Sequence, residues 1–206
     1  MGFQRVEIRA DGIACRRGER LLFRDFGLTA ASGTLTEIVG PNGAGKSSLL
    51  RILAGLLKAE AGTVAVVADG RVLGRDDEPP SGLMHYLGHL DALKNPMTAR
   101  ENLAFAARWF GAAHGIDAAL ERVELKAQGE LPVGYLSAGQ RRRLALGRCW
   151  MIARPLWLLD EPTAALDAAG RALAAELIAA HLAAGGTALA ATHEPILAGA
   201  AQAMIA

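Results

Sequence analysis

A chain of 206 residues with 51% hydrophobic and 21% charged types is long enough for one sizeable core and too apolar for a disordered tail. Lys and Arg number 22 against 21 Asp and Glu, so the net charge of +1 supplies no bulk field for nucleic acid or an acidic membrane. Two cysteines, Cys15 and Cys149, exclude a disulfide scaffold and point to a reducing compartment.

Charges mixed through residues 1–9 argue against a secretory or transit leader, and Val6–Arg9, Leu21–Phe23 and Leu35–Val39 read as short strands. From Lys46 the period changes. Leu49, Leu50, Leu53, Leu56 and Leu57 share one helical face, and Ala61–Gly62 closes that segment before a strand over Thr63–Val67. Residues 85–149 read as a mostly helical subdomain, in which Thr98–Glu101 has the form of a capping box followed by an apolar face of Leu103, Ala106, Trp109 and Phe110. Apolar runs at Leu156–Leu159 and Thr187–Thr192 flank an Ala-rich helix over 168–183 that Gly185–Gly186 ends. This alternation predicts one α/β domain over 1–206, its core built from residues 1–84 and 150–206 around a mainly parallel sheet. No window offers the roughly 20 uncharged apolar residues that a bilayer span needs.

Gly40-Pro41-Asn42-Gly43-Ala44-Gly45-Lys46-Ser47 matches the phosphate-binding pattern G-x-x-x-x-G-K-[ST], placed after a strand and opening a helix as the mechanism requires. Glycines there let successive N–H groups converge on phosphate oxygens at the positive end of the helix. Lys46 then reaches the β- and γ-phosphates, Ser47 offers a hydroxyl to Mg²⁺, and Ser48 supplies a further donor near the α-phosphate. The run Leu156–Leu159 ends at Asp160-Glu161, two adjacent carboxylates at the carboxyl end of a buried strand, where open parallel sheets bind ligands. Asp160 is the candidate Mg²⁺ ligand, direct or through water. Glu161 is the candidate general base for the water that attacks the γ-phosphate. His193, just beyond the last apolar strand, is placed to donate to that phosphate.

Leu136-Ser-Ala-Gly-Gln140 lies between the cradle and the carboxylates, and the set resembles the ATP-binding subunits of ABC transporters across nearly the whole chain. The resemblance implies a P-loop NTPase of ABC type, with an N-terminal antiparallel β part and a helical subdomain beside the parallel sheet. It implies that Ser137, Gly139 and Gln140 cap the γ-phosphate of ATP bound to a second copy, giving an ATP-dependent head-to-tail homodimer. A plain helix N-terminus, with Ser137 as cap and Gln140 as its third residue, is compatible with that role. A D-loop at Ala165–Asp167 and a switch histidine at His193 are implied as well. Gly88-His89, Lys94, Thr98-Ala99, Glu101-Asn-Leu103, Leu136–Arg143 and Leu156-Trp157 before Leu159-Asp-Glu-Pro162 resemble the ATPases that power haem export in cytochrome c maturation. That finer likeness implies integral membrane permease subunits and peripheral attachment at the cytoplasmic face of a bacterial inner membrane.

Two departures stand out. Leu90 occupies the place expected for the glutamine that contacts Mg²⁺ or the attacking water, which leaves His89, Asp91 or a water to take over, or a different coupling. The aromatic residue that stacks on adenine in the family is replaced by Arg17, beside Arg16; a guanidinium platform predicts loose discrimination of ATP from GTP. His85 and His89 have metal- or haem-ligand spacing, but Gly88 weakens the helix this needs and no third ligand is near. Arg141-Arg-Arg143 reads as a solvated helix face rather than a nucleic-acid patch. A DNA- or ribosome-acting ABC ATPase is disfavoured, because only 90 residues separate Lys46 from Ser137 and no coiled coil or second ATPase domain is present. A haem-binding scaffold that keeps nucleotide as a structural ligand is the other rival.

Overall fold

The computed structural model describes residues 2–73 and 82–205. Strands Val6–Arg17 (β1) and Arg20–Ala30 (β2) form an antiparallel hairpin. Leu35–Val39 (β3) leaves it for a second sheet, while Ala61–Ala68 (β4) and Arg71–Leu73 (β5) extend it in the order β2-β1-β4-β5. With Met84–Leu87 (β6), Leu156–Asp160 (β7), Thr187–Ala191 (β8) and Ala201–Met204 (β9), β3 builds an all-parallel sheet in the order β6-β7-β8-β3-β9. The expected α/β class with an antiparallel N-terminal part is the architecture found. The helices are Lys46–Leu53 (α1), Ala99–Phe110 (α2), Ile116–Arg122 (α3), Ala138–Met151 (α4) and Ala168–Ala183 (α5).

The parallel sheet divides two cores, which explains why β7 and β8 are apolar at every position rather than at alternate ones. Leu156 and Leu158 face β1, β2 and α1, whereas Trp157 and Leu159 face α4 and α5. Burying residues on both faces fixes the register of β7, because a one-residue slip would exchange Trp157 with its smaller neighbours. The carboxyl end of this strand, and so Asp160 and Glu161, is thereby held rigidly.

Three local expectations differ from the structure. The helix after the cradle stops at Leu53 instead of running through Leu57. Gly55 turns left-handed (φ +72°) and Leu56 is 63% exposed, while Ala61–Gly62 opens β4 rather than closing a helix. Residues 85–87, expected inside the helical subdomain, pair with β7 as part of the edge strand of the parallel sheet; the helices of that part begin at Ala99. Trp109 and Phe110, expected on the buried face of α2, are exposed, because its last turn projects beyond the bundle that takes Ala99, Leu103 and Ala106. The capping box at Thr98 and Glu101 forms as expected, and the buried Asn102 amide donates to the carbonyls of Lys94, Met97 and Thr98, which fixes the approach to α2.

Candidate functional site

The cradle is the turn from β3 into α1. Gly45 sits at φ +108°, and a Cβ there would stand 2.9 Å from the Phe23 ring, so a larger residue is excluded by both conformation and space. Gly43 is also left-handed, at φ +78°. Gly45 caps α1 with no side-chain bond and the first turn holds no acid, so the N–H groups at this helix end are directed at an anion without an internal competitor. Pro41 and Asn42 are exposed, whereas Ala44 packs into the core and anchors the loop. Buried Lys46 donates from Nζ to the carbonyls of Gly40 (2.8 Å) and Pro41 (3.2 Å), leaving one ammonium N–H inside the loop's curve. The Ser48 hydroxyl meets the Cys15 thiol, whose pKa is raised by burial.

Ser47 and Asp160, 113 residues apart in sequence, meet at the mouth of the cradle: Ser47 Oγ donates to Asp160 Oδ1 at 2.9 Å. Asp160 is 1% exposed, and its Oδ2 is buried with no hydrogen-bond partner. An unpartnered buried carboxylate oxygen is costly unless a cation meets it, so this pair fits a metal ion. Among the described residues no cluster of three or more His, Cys, Asp or Glu could hold a metal unaided. Magnesium suits such a site, since it takes one or two protein oxygens and completes its shell with water and substrate phosphates.

Glu161 follows at φ +50°, a strained conformation for a side chain of this size. Its N–H donates to Ala191 O at 2.9 Å and its carbonyl accepts from Ala164 N at 3.0 Å, so the strain is held from both sides. His193 Nε2 lies 3.3 Å from Glu161 Oε1. The turn carrying His193 is set by Thr192, whose hydroxyl donates to Glu194 O at 2.7 Å, and by Glu37 on β3. Glu37 is 1% exposed and its Oε1 accepts from Ile196 N at 2.7 Å. No sequence signal singled out Glu37: an acid within a hydrophobic strand is legible only as an anomaly, and the backbone N–H it serves lies 159 residues away.

Ser137, Gly139 and Gln140 form a second group at the N-terminus of α4. Ser137 Oγ accepts from Gln140 N (3.1 Å) and Gln140 Oε1 accepts from Ser137 N (2.9 Å), a complete capping box that orders the tip before any ligand arrives. A Cβ on Gly139 would stand 2.9 Å from Ala165 O, so glycine lets the 163–167 loop pass against the helix. Asp167 then caps α5 by accepting from Gly170 N. The structure thus gathers Lys46, Ser47, Asp160, Glu161 and His193 at the carboxyl end of the parallel sheet. Ser137, Gly139 and Gln140 form the N-terminal tip of α4, where Gly139 packs against Ala165 and Leu166.

Arg17 ends β1 opposite Arg20, whose guanidinium reaches toward Gly43; Arg16 is engaged by Glu60 at 3.0 Å and by Glu19 O. Arg17 therefore stands at the exposed hairpin end nearest the cradle. Leu90 is 82% exposed and His89 is exposed too, in a cleft of about 630 Å³ that Asp91, Arg141 and Arg142 also line. One expectation fails outright. Arg142, read as part of a solvated face, is 4% exposed. Its guanidinium faces inward because α4 turns that side to the loop after β6 and to the end of β7.

Residues 23–164 match the family model for ABC transporters. This chain belongs to the ABC transporter family. It is 48% identical over 196 residues to the cytochrome c biogenesis ATP-binding export protein CcmA of Rhizobium meliloti strain 1021, covering 93% of each chain. It is 49% identical over 186 residues to the protein of the same name from Rhodopseudomonas palustris strain BisB5, covering 90% of each. In fold it matches a solved ATP-binding subunit of an ABC transporter with a TM-score of 0.77 at 21% identity, over 90% of this chain and 79% of that one. A Pyrococcus furiosus chain described as an ABC-transporter ATP-binding protein gives 0.81 at 20% identity, over 97% of both. No helix among the described residues is long and apolar enough to cross a membrane.

Proposed function

We propose that this chain binds and hydrolyses Mg-ATP to drive export of haem for cytochrome c maturation, as a peripheral subunit held by integral membrane partners at the cytoplasmic face of a bacterial inner membrane. The observation that carries the chemistry is the meeting of Ser47 with a buried, half-satisfied Asp160 directly beside the cradle and one residue before Glu161. Main-chain N–H groups of residues 43–48 and the Lys46 ammonium bind the triphosphate. Ser47 and Asp160 would hold Mg²⁺, which would supply positive charge against the phosphates. Glu161 Oε orients the attacking water and takes its proton, and His193, 3.3 Å away, donates to the γ-phosphate as charge builds there. Ser137, Gly139 and Gln140 form an ordered tip at the N-terminus of α4, and membership of the ABC transporter family supports a head-to-tail dimer in which each tip caps the other copy's nucleotide. The exposed aromatic edge of α2, where Phe105, Trp109 and Phe110 reach solvent with Lys94 over the Phe105 ring and Arg154 over the Phe110 ring, is the surface suited to a partner, and we assign it to the membrane subunit.

Copurification from membranes tests the assignment. The chain is expected to bring down integral subunits whose loss, like its own, removes c-type cytochromes. Normal c-type cytochromes in a strain lacking this chain contradict the haem assignment, whereas failure of equilibrium dialysis to detect Mg-ATP contradicts the ATPase assignment.

A further inference from the structure

Arg142 is the most deeply buried of the three arginines in the run 141–143, and its contacts connect segments that the sequence keeps far apart. Nη1 donates to Gly88 O at 3.1 Å and lies 2.8 Å from Asp91 Oδ1, an ion pair off the N–H axis rather than an aligned hydrogen bond; Nη2 donates to Asp160 O at 3.3 Å. The last contact matters most. Asp160 O and Glu161 N belong to one peptide group, so Arg142 holds its oxygen while Ala191 O accepts from its N–H at 2.9 Å. That peptide carries the metal-site carboxylate on one side and, on the other, the residue strained to φ +50°. A strained residue keeps its conformation only while its surroundings over-determine it.

Arg142 also belongs to α4, one turn beyond the Ser137 cap. We infer that Arg142 is a positioning residue. It pins the Asp160–Glu161 peptide to the signature helix and to the Gly88–Asp91 loop, so that the placement of Glu161 in one ATP site depends on the placement of the Ser137–Gln140 tip that serves the other. This deepens the proposed function and rests on it. It also accounts for Leu90: the loop after β6 is tied to the site through the Gly88 carbonyl and Asp91 rather than through the side chain at 90, which points to solvent.

The test uses the complex of this chain with its membrane subunits and compares wild type with Arg142→Gln and Arg142→Lys, each checked for folding by thermal melting. Arg142→Gln is expected to lower kcat about 10- to 100-fold, the range seen when partners that orient a reacting group are removed. Its Kd for Mg-ATP in equilibrium dialysis should stay within about threefold of wild type, because the cradle is untouched. The steepness of turnover against ATP should fall toward that of independent sites, and Arg142→Lys should recover part of kcat. If Arg142→Gln does not fold, Asp91→Asn replaces it: the guanidinium keeps both carbonyls but loses its charge partner, and kcat is expected to fall about two- to fivefold with Kd unchanged. Wild-type kcat in a folded Arg142→Gln, or in Asp91→Asn where that stands in, overturns the inference. So does a loss of ATP affinity as large as the loss of kcat/KM, which marks Arg142 as merely structural. A wild-type chain that binds no Mg-ATP overturns the proposed function, and this inference with it.

Discussion

The carboxyl end of the parallel sheet and the N-terminus of α4 contribute to the same chemistry in opposite ways. At the sheet, buried strands hold Asp160 and Glu161 against a turn made of backbone. Polar atoms are left over there: one Asp160 oxygen and one Lys46 N–H have no hydrogen-bond partner among the described residues. At α4 the tip is ordered from within, because Ser137 and Gln140 each accept from the other's backbone N–H. One surface leaves a buried carboxylate oxygen for a cation, whereas the other is a preformed helix end whose remaining first-turn N–H groups have no intrahelical acceptor. The contrast teaches that the sheet contributes buried charge and the tip contributes ordered helix-end donors.

Glu161→Gln should produce the largest effect: kcat lower by a factor of about 10² to 10³ with Mg-ATP affinity retained, measured by steady-state turnover and equilibrium dialysis. Normal turnover in that variant removes Glu161 from the base role and breaks the sheet side of the contrast. Ser137→Ala sharpens the other side. It should cost about 1 kcal/mol of stability through the lost cap, read as a lower melting temperature, and lower turnover tenfold or more while single-chain ATP binding stays intact. Weakened ATP binding by a lone Ser137→Ala chain would place the tip at its own cradle.

A third prediction concerns the sheet's rigidity as acid is added. His85 on β6 is held near pKa 3 and His181 near 4, mainly because burial disfavours the charged ring. Both lie below the ordinary value of about 6.5, so the unfolded chain binds more protons than the folded one and stability falls as pH drops below 6.5. For His85 alone the loss reaches about 2 kcal/mol by pH 5. His85→Gln can keep a donor to Ile152 O and should flatten the pH dependence of unfolding by about that amount; an unchanged slope contradicts the assignment. The smallest effect is expected at the hairpin. Arg17→Tyr should tighten ATP binding by about 1 kcal/mol, since aromatic stacking is worth ~1–3 kcal/mol against ~0.5–2 for a guanidinium. In the unaltered chain ATP and GTP should bind within about a hundredfold of one another, and a wider gap contradicts the guanidinium platform.

The sequence displays those parts of the site whose chemistry needs adjacent residues. Gly40–Ser48 is contiguous because one loop must wrap one phosphate chain, and Asp160-Glu161 is contiguous because one strand end presents both carboxylates. Arg142 and Glu37 are invisible by the same logic. Each is defined by a carbonyl or N–H brought in from a remote segment, and in sequence Arg142 is the middle of three arginines that look alike. Helix α5 is legible to its ends because Asp167 caps it and Gly185–Gly186 stops it. The end of α1 is not, because the repeat of leucines continues past the left-handed turn at Gly55 that actually ends it. Trp109 and Phe110 misled for a different reason: they continue the apolar stripe of α2 into a last turn that projects beyond the bundle that buries Leu103 and Ala106.

The proposal that each triphosphate is held between two copies has a direct test in sedimentation velocity of Glu161→Gln with and without saturating Mg-ATP. The account predicts a monomer without nucleotide and a dimer with it, and a Ser137→Ala second substitution should restore the monomer. A nucleotide-saturated Glu161→Gln chain that sediments as a monomer contradicts the account.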